Sequence, residues 1–138
     1  MFRFIVHRLN FLKTIPFFAL VYDSCLKIGV WLTAPEKLSW FDEIENEVLS
    51  WEGTNVSLHK FGGTQFNYGT KEMGHLHSNG LLDILFNRRA KQELLASGKA
   101  EIHHVFKKSG WISFYIATEN DLANAKFLLK RAYQSMNQ

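Results

Sequence analysis

Residues 72–86 read Glu72-Met73-Gly74-His75-Leu76-His77-Ser78-Asn79-Gly80-Leu81-Leu82-Asp83-Ile84-Leu85-Phe86. Two short runs, Glu72–His77 and Leu81–Phe86, flank Ser78-Asn79-Gly80. Asn-Gly tolerates positive φ, so the stretch predicts a β-hairpin. His75 and His77 alternate along one strand, which sends both rings to the same face. The turn decides what stands opposite them. With a two-residue loop at Asn79-Gly80, His75 faces Ile84, His77 faces Leu82, and Asp83 lies on the other face. With a three-residue loop at Ser78-Asn79-Gly80 and a left-handed Gly80, His75 faces Asp83 and His77 faces Leu81. Both loop types are common. One residue of register therefore separates a His–Asp pair from a coincidence.

The neighbouring segments extend the same pattern. Val56, Leu58 and Lys60 alternate with Ser57 and His59 until Gly62-Gly63 breaks the run, and Gln65–Tyr68 and Glu72–His77 flank Gly69-Thr70 as a further hairpin. Upstream, Leu38, Phe41, Ile44, Val48 and Trp51 recur at helical spacing, predicting a helix over Glu36–Trp51 that opens after Pro35 and stops at Gly53. Downstream, Arg88–Ser97 reads as a short helix between an Asn87 N-cap and Gly98. Lys99–Phe106 and Trp111–Ala117 read as strands. Thr118 and Asp121 form an acidic capping box before a stripe of Leu122, Ala125, Leu129, Ala132, Tyr133 and Met136. The order α(α)–α–β–β–β–β–α–β–β–α predicts an α+β fold. Its single, mainly antiparallel sheet has about five to six strands, with helices mainly on one face.

A chain of 138 residues with 46% hydrophobic and 21% charged residues fits a single domain over 1–138, with an N-terminal helical segment at 1–34 and an α+β core at 55–138. That apolar content excludes intrinsic disorder. Cys25 is the sole cysteine, so no internal disulfide forms, and a cytoplasmic location is expected. Its apolar neighbours predict a buried thiol. Lys plus Arg number 16 and Asp plus Glu 13. Residues 1–34 carry Arg3, Arg8, Lys13 and Lys27 against Asp23 alone, which accounts for the whole net charge of +3. The neutral body lacks the basic face of a nucleic-acid-binding domain, so no such partner is expected. The uncharged run Thr14–Tyr22 falls short of the roughly 20 residues of a spanning helix. The N-terminal segment reads as two amphipathic helical pieces broken near Pro16. Their apolar faces call for cover by the domain body, by a second copy as a dimer, or by a peripheral membrane contact.

Five of the six histidines, His59, His75, His77, His103 and His104, lie in the sheet region. His103 and His104 point to opposite faces of their strand, so one of the two can join His75 and His77. Three histidines, or two with Asp83, form a donor set for zinc or non-haem iron. The same groups without metal form an acid–base pocket. A third reading makes the rings structural. Trp111, Phe114, Phe66 and Tyr68 supply aromatic walls, and Arg88-Arg89 can clamp an anionic group. P-loop, dinucleotide-binding, nucleophile-elbow and zincin motifs are absent from the sequence.

Several spaced motifs taken together resemble one family. They are Glu72-Met-Gly-His75-Leu-His77, Gly80-Leu-Leu-Asp83, Arg89, Leu94-Leu-Ala-Ser-Gly98-Lys-Ala100-Glu-Ile-His103-His104, and Ser109-Gly110-Trp111-Ile-Ser-Phe114. This set is similar to the luciferase-domain family, which holds many bacterial proteins and the fungal luciferases, and it covers roughly Gly62 to Met136. Leu85 and Lys107-Lys108 depart from the prolines that bacterial members usually carry at those places. Fungal luciferases oxidise a hydroxylated hispidin, a polyphenolic pyrone, with molecular oxygen and no added organic cofactor. The resemblance therefore implies a small-molecule ligand in a histidine-lined pocket. It places the family's histidines on His75, His77 and His103, and the bacterial pattern also matches Asp83, Arg89, His104 and Trp111. Catalytic roles are expected for His75, His77, Asp83 and His103, and ligand contacts for His104, Arg89 and Trp111, with Tyr68 added from the aromatic walls. A histidine acting as general base on a phenol or enol would make the anion that reacts with oxygen. No cofactor is required by these residues, although a metal at His75 and His77 fits them. The rival reading is a non-catalytic ligand-binding or interaction module.

Overall fold

The computed structural model describes residues 16–103 and 107–137. Among these residues, α1 (Pro16–Thr33) and α2 (Glu36–Leu49) precede four strands: β1 (Thr54–Leu58), β2 (Thr64–Tyr68), β3 (Lys71–Leu76) and β4 (Leu81–Leu85). Then come α3 (Arg88–Ala96), β5 (Glu101–Ile102), β6 (Trp111–Tyr115) and α4 (Asp121–Met136). The strands form one six-stranded antiparallel sheet in the order β1-β2-β3-β4-β6-β5. The expected α+β architecture is the one found.

Strand alternation splits the sheet into two faces. Leu76, Leu82, Ile84 and Ile112 point to the first face and are almost fully buried. They meet Phe41, Ile44 and Val48 of α2 and Leu122, Ala125, Leu128, Leu129 and Ala132 of α4 in one hydrophobic core. Both helices present an apolar stripe at three- and four-residue spacing, which is why the sheet binds them on that side. His75, Asp83 and Ser113 point to the opposite face, yet they too are buried.

Several local signals act as read. Asn87 caps α3 by accepting from the Ala90 N–H at 2.9 Å, and Gly98 ends that helix at φ 68°. The closing helix opens later than a Thr118 cap predicts. Its Asp121 carboxylate reaches back to accept from the backbone of Ala117 and Thr118 and from the Thr118 hydroxyl. The β5 strand spans only Glu101–Ile102 instead of Lys99–Phe106. It is an edge strand with a single partner, β6, and the chain leaves that ladder at His103.

Pro16 opens α1, where its missing N–H costs nothing. The first helical piece expected before Pro16 lies outside the described residues. α1 is anchored by Asp23, whose carboxylate accepts from the Ser78 N–H at 3.1 Å and the Ser78 hydroxyl at 2.7 Å. Its outer face leaves Phe17, Val21, Ile28, Trp31 and Leu32 exposed. Cys25 is also exposed, contrary to the buried thiol expected from its neighbours, because it points away from the Asp23 anchor. Among the described residues no single helix is long and apolar enough to cross a membrane.

Candidate functional site

The β3–β4 hairpin adopts the three-residue loop. Gly80 sits at φ 93°, the His77 N–H bonds the Leu81 carbonyl at 2.9 Å, and His75 pairs with Asp83. Gly74 lets the two backbones approach. A Cβ there would stand 2.5 Å from the Asp83 carbonyl oxygen. On β6, Ser113 pairs with Asp83 and donates its hydroxyl to Asp83 Oδ1 at 2.5 Å.

The other carboxylate oxygen, Asp83 Oδ2, is the centre of the site. The Nε2 atoms of His75, His77 and His103 each lie 3.5 Å from it. Asp83 is fully buried, while the His77 side chain is 21% exposed, the most accessible of the three rings. Trp111 walls the cluster, its ring 5.3 Å from that of His75 and 6.0 Å from that of His103. Burial alone would raise the Asp83 pKa. The neighbouring His75 and His77 rings, the Ser113 hydroxyl and the nearby His103 outweigh it and hold the carboxyl far below its usual range. Burial alone would depress His75, but Asp83 and Glu72 together lift it above the ordinary histidine value.

Two further residues belong to the site and were not among the expected ones. A β-bulge falls between Phe66 and Asn67 on one strand and Glu72 and Gly74 on the other. It turns Met73 into the core and brings Glu72 to the same side as His75. His75 Nδ1 then meets Glu72 Oε1 at 2.6 Å. His59, at the end of β1, stacks on His75 with ring centroids 3.8 Å apart. A strictly alternating strand would have separated Glu72 from His75, so no signal in the sequence showed that contact. His59 could have been found only by knowing that Gly62-Gly63 folds its loop back onto β3.

His59 is held at a pKa of about 4, below the ordinary 6.5, first by burial and then by the charge of His75. The folded state thus binds fewer protons there than the unfolded chain does. Stability contributed by neutral His59 is present above pH 6.5 and is lost as pH falls toward about 4. Thermal melts between pH 7 and 4 should show that decline, and His59→Gln should flatten it.

A cavity of about 510 Å³ is lined by residues of α1, α2 and the β1–β3 strands. Its walls include Asp23 and Ser24 of α1, Phe41 and Glu45 of α2, Leu58 of β1 and His77. Of the cluster, His77 belongs to that lining. Of the other expected residues, Tyr68 turns to the helical side, its ring 5.7 Å from that of Tyr133. Arg89 stands apart from the cluster, exposed and paired with Glu93 at 3.2 Å, one helical turn along α3. His104 lies outside the described residues.

Residues 70–132 match the family model described as Luciferase domain, in agreement with the resemblance read from the sequence. No curated protein and no solved structure matches the chain.

Proposed function

We propose, from the premise that residues 70–132 carry a luciferase domain, that the protein binds a small hydroxylated aromatic molecule and activates it toward oxygen. The cavity would hold the molecule, and the cluster of His75, His77, His103 and Asp83 would act on it. The observation that carries this reading is the position of His77. It lines the cavity and also meets the buried Asp83 carboxylate at 3.5 Å. The cavity size lies within the usual range for small-molecule sites. Leu38, Phe41 and Leu58 offer apolar contact to a ring, while Asp23, Asp42 and Glu45 offer carboxylate acceptors to hydroxyl groups. A polyphenol has both features.

The chemistry begins with proton removal. The O–H bond of a phenol or enol breaks, its electron pair stays on the substrate, and the proton passes to the cluster. The carbon made electron-rich by that anion forms a C–O bond with dioxygen, which is reduced to the peroxide level. Asp83 and Glu72 favour the charged form of His75, so they support proton uptake on that ring.

Ser24 tests the cavity without touching the cluster. It is exposed on α1 and lines the cavity wall, so Ser24→Trp fills the space while leaving the sheet alone. Calorimetry with a hydroxylated hispidin should show binding to the native chain and at least a tenfold weaker affinity for Ser24→Trp. Equal affinity in the two would place the ligand elsewhere.

The exposed apolar face of α1 favours an added role in contact with a second copy of the chain or a membrane surface. Sedimentation and vesicle flotation distinguish those two partners.

A further inference from the structure

We infer that His75, His77 and Asp83 form a mononuclear site for a divalent first-row transition-metal ion, with two histidine Nε2 atoms and Asp83 Oδ2 as its ligands. The inference rests on the reading that this cluster is the working site, and it names what the cluster holds.

The distances are the first argument. Each Nε2 stands 3.5 Å from Asp83 Oδ2, beyond the roughly 2.7–3.2 Å of a good N–H···O bond. A tetrahedral ion with bonds of about 2.1 Å separates its donors by about 3.4 Å. The donor atoms of His75, His77 and Asp83 also all lie within 4.8 Å of one another, as donors gathered for a common ion do.

The second argument is the state of Asp83. Its Oδ1 takes the Ser113 hydroxyl, but its Oδ2 is buried and has no hydrogen-bond partner. A buried carboxylate oxygen left in that condition is costly unless a cation meets it.

Glu72 supplies the third. Its Oε1 lies 2.6 Å from His75 Nδ1, on the far side of the ring from Nε2. Carboxylate–histidine pairs of this form orient metal-ligating rings in general. All three donors are nitrogen or oxygen and Cys25 is exposed on α1, so the set suits zinc or iron and not a thiolate-selective ion. A cation here would also hold the charge of a phenolate or enolate directly.

The probe is cobalt(II), added to full-length protein made without a histidine tag and stripped with a chelator. The expected result is one cobalt per chain, with visible d–d absorption and a raised melting temperature. His77→Ala, at the most exposed ring of the set, should bind at least tenfold more weakly, as should Asp83→Asn. Absence of stoichiometric binding and of a melting shift in the native protein would overturn the inference. So would binding that survives both substitutions but is lost in His59→Ala, since it would place the ion in the neighbouring His59–Glu72–His75 group. Calorimetry with a hydroxylated hispidin on the stripped protein separates the two readings. Ligand binding without any cobalt binding sinks the metal and keeps the proposed function. Cobalt binding without a ligand does the reverse.

Discussion

Asp83→Ala should lower the stability of the protein by about 3–5 kcal/mol, the typical cost of removing one partner from a buried charged group. Asp83 is fully buried and faces His75, His77 and His103, with Ser113 on its other oxygen. Truncation strips the rings of their common carboxylate and leaves the Ser113 hydroxyl without its acceptor. It also opens a cavity between β3, β4 and β6. Chemical denaturation at neutral pH gives the value directly. Asp83→Asn keeps the volume and an acceptor for Ser113 but loses the charge, so its cost should be smaller. Equal stability in the native protein and Asp83→Ala would mean that the cluster does not constrain the fold.

Gly80→Ala should cost about 2–4 kcal/mol, from the left-handed backbone penalty together with overpacking. Gly80 holds φ at 93°, and an added Cβ would lie 2.7 Å from the Ile116 carbonyl oxygen. That oxygen belongs to backbone and cannot swing aside like a flexible side chain. The Gly80 carbonyl also accepts the Ile116 N–H at 2.9 Å, tying the hairpin to the end of β6. The loop sets the pairing of His75 with Asp83, so strain there acts on the site as well as on the fold. Denaturation gives the stability change. The pH dependence of unfolding reports the site, because Asp83 keeps its depressed pKa only while the histidines surround it.

The sequence made most of the fold legible because its punctuation is local. Asn87 and Gly98 bound α3 through bonds within a few residues of themselves. Stripes at helical spacing in α2 and α4 name the buried positions Phe41, Ile44, Val48, Leu122, Ala125, Leu129 and Ala132. The site was legible only to the level of two alternatives. Ser78-Asn79-Gly80 permits either hairpin register by local preference alone, and contacts beyond the hairpin accompany the choice. Asp23 of α1 bonds Ser78, and Ile116 bonds Gly80. Glu72 escaped notice because a bulge changes the parity of the strand, and a bulge leaves no fixed residue signature. Arg89, expected to clamp an anionic group, stands at the unfavourable end of the α3 dipole. Glu93, one turn on, offsets that at the surface. Tyr68 was grouped with Trp111 by residue type, but the two lie on opposite faces. Trp111 shares the side of His75, and Tyr68 that of Tyr133.

The central claim is that the His75, His77, His103 and Asp83 cluster is where this protein does its chemistry. It is tested most directly by oxygen uptake with a hydroxylated hispidin, comparing the native protein with His77→Ala at equal folded concentration. The account predicts uptake by the native chain and a loss of about 100-fold or more in the variant, the scale on which an acid–base group contributes. Uptake at the native rate in His77→Ala would contradict it.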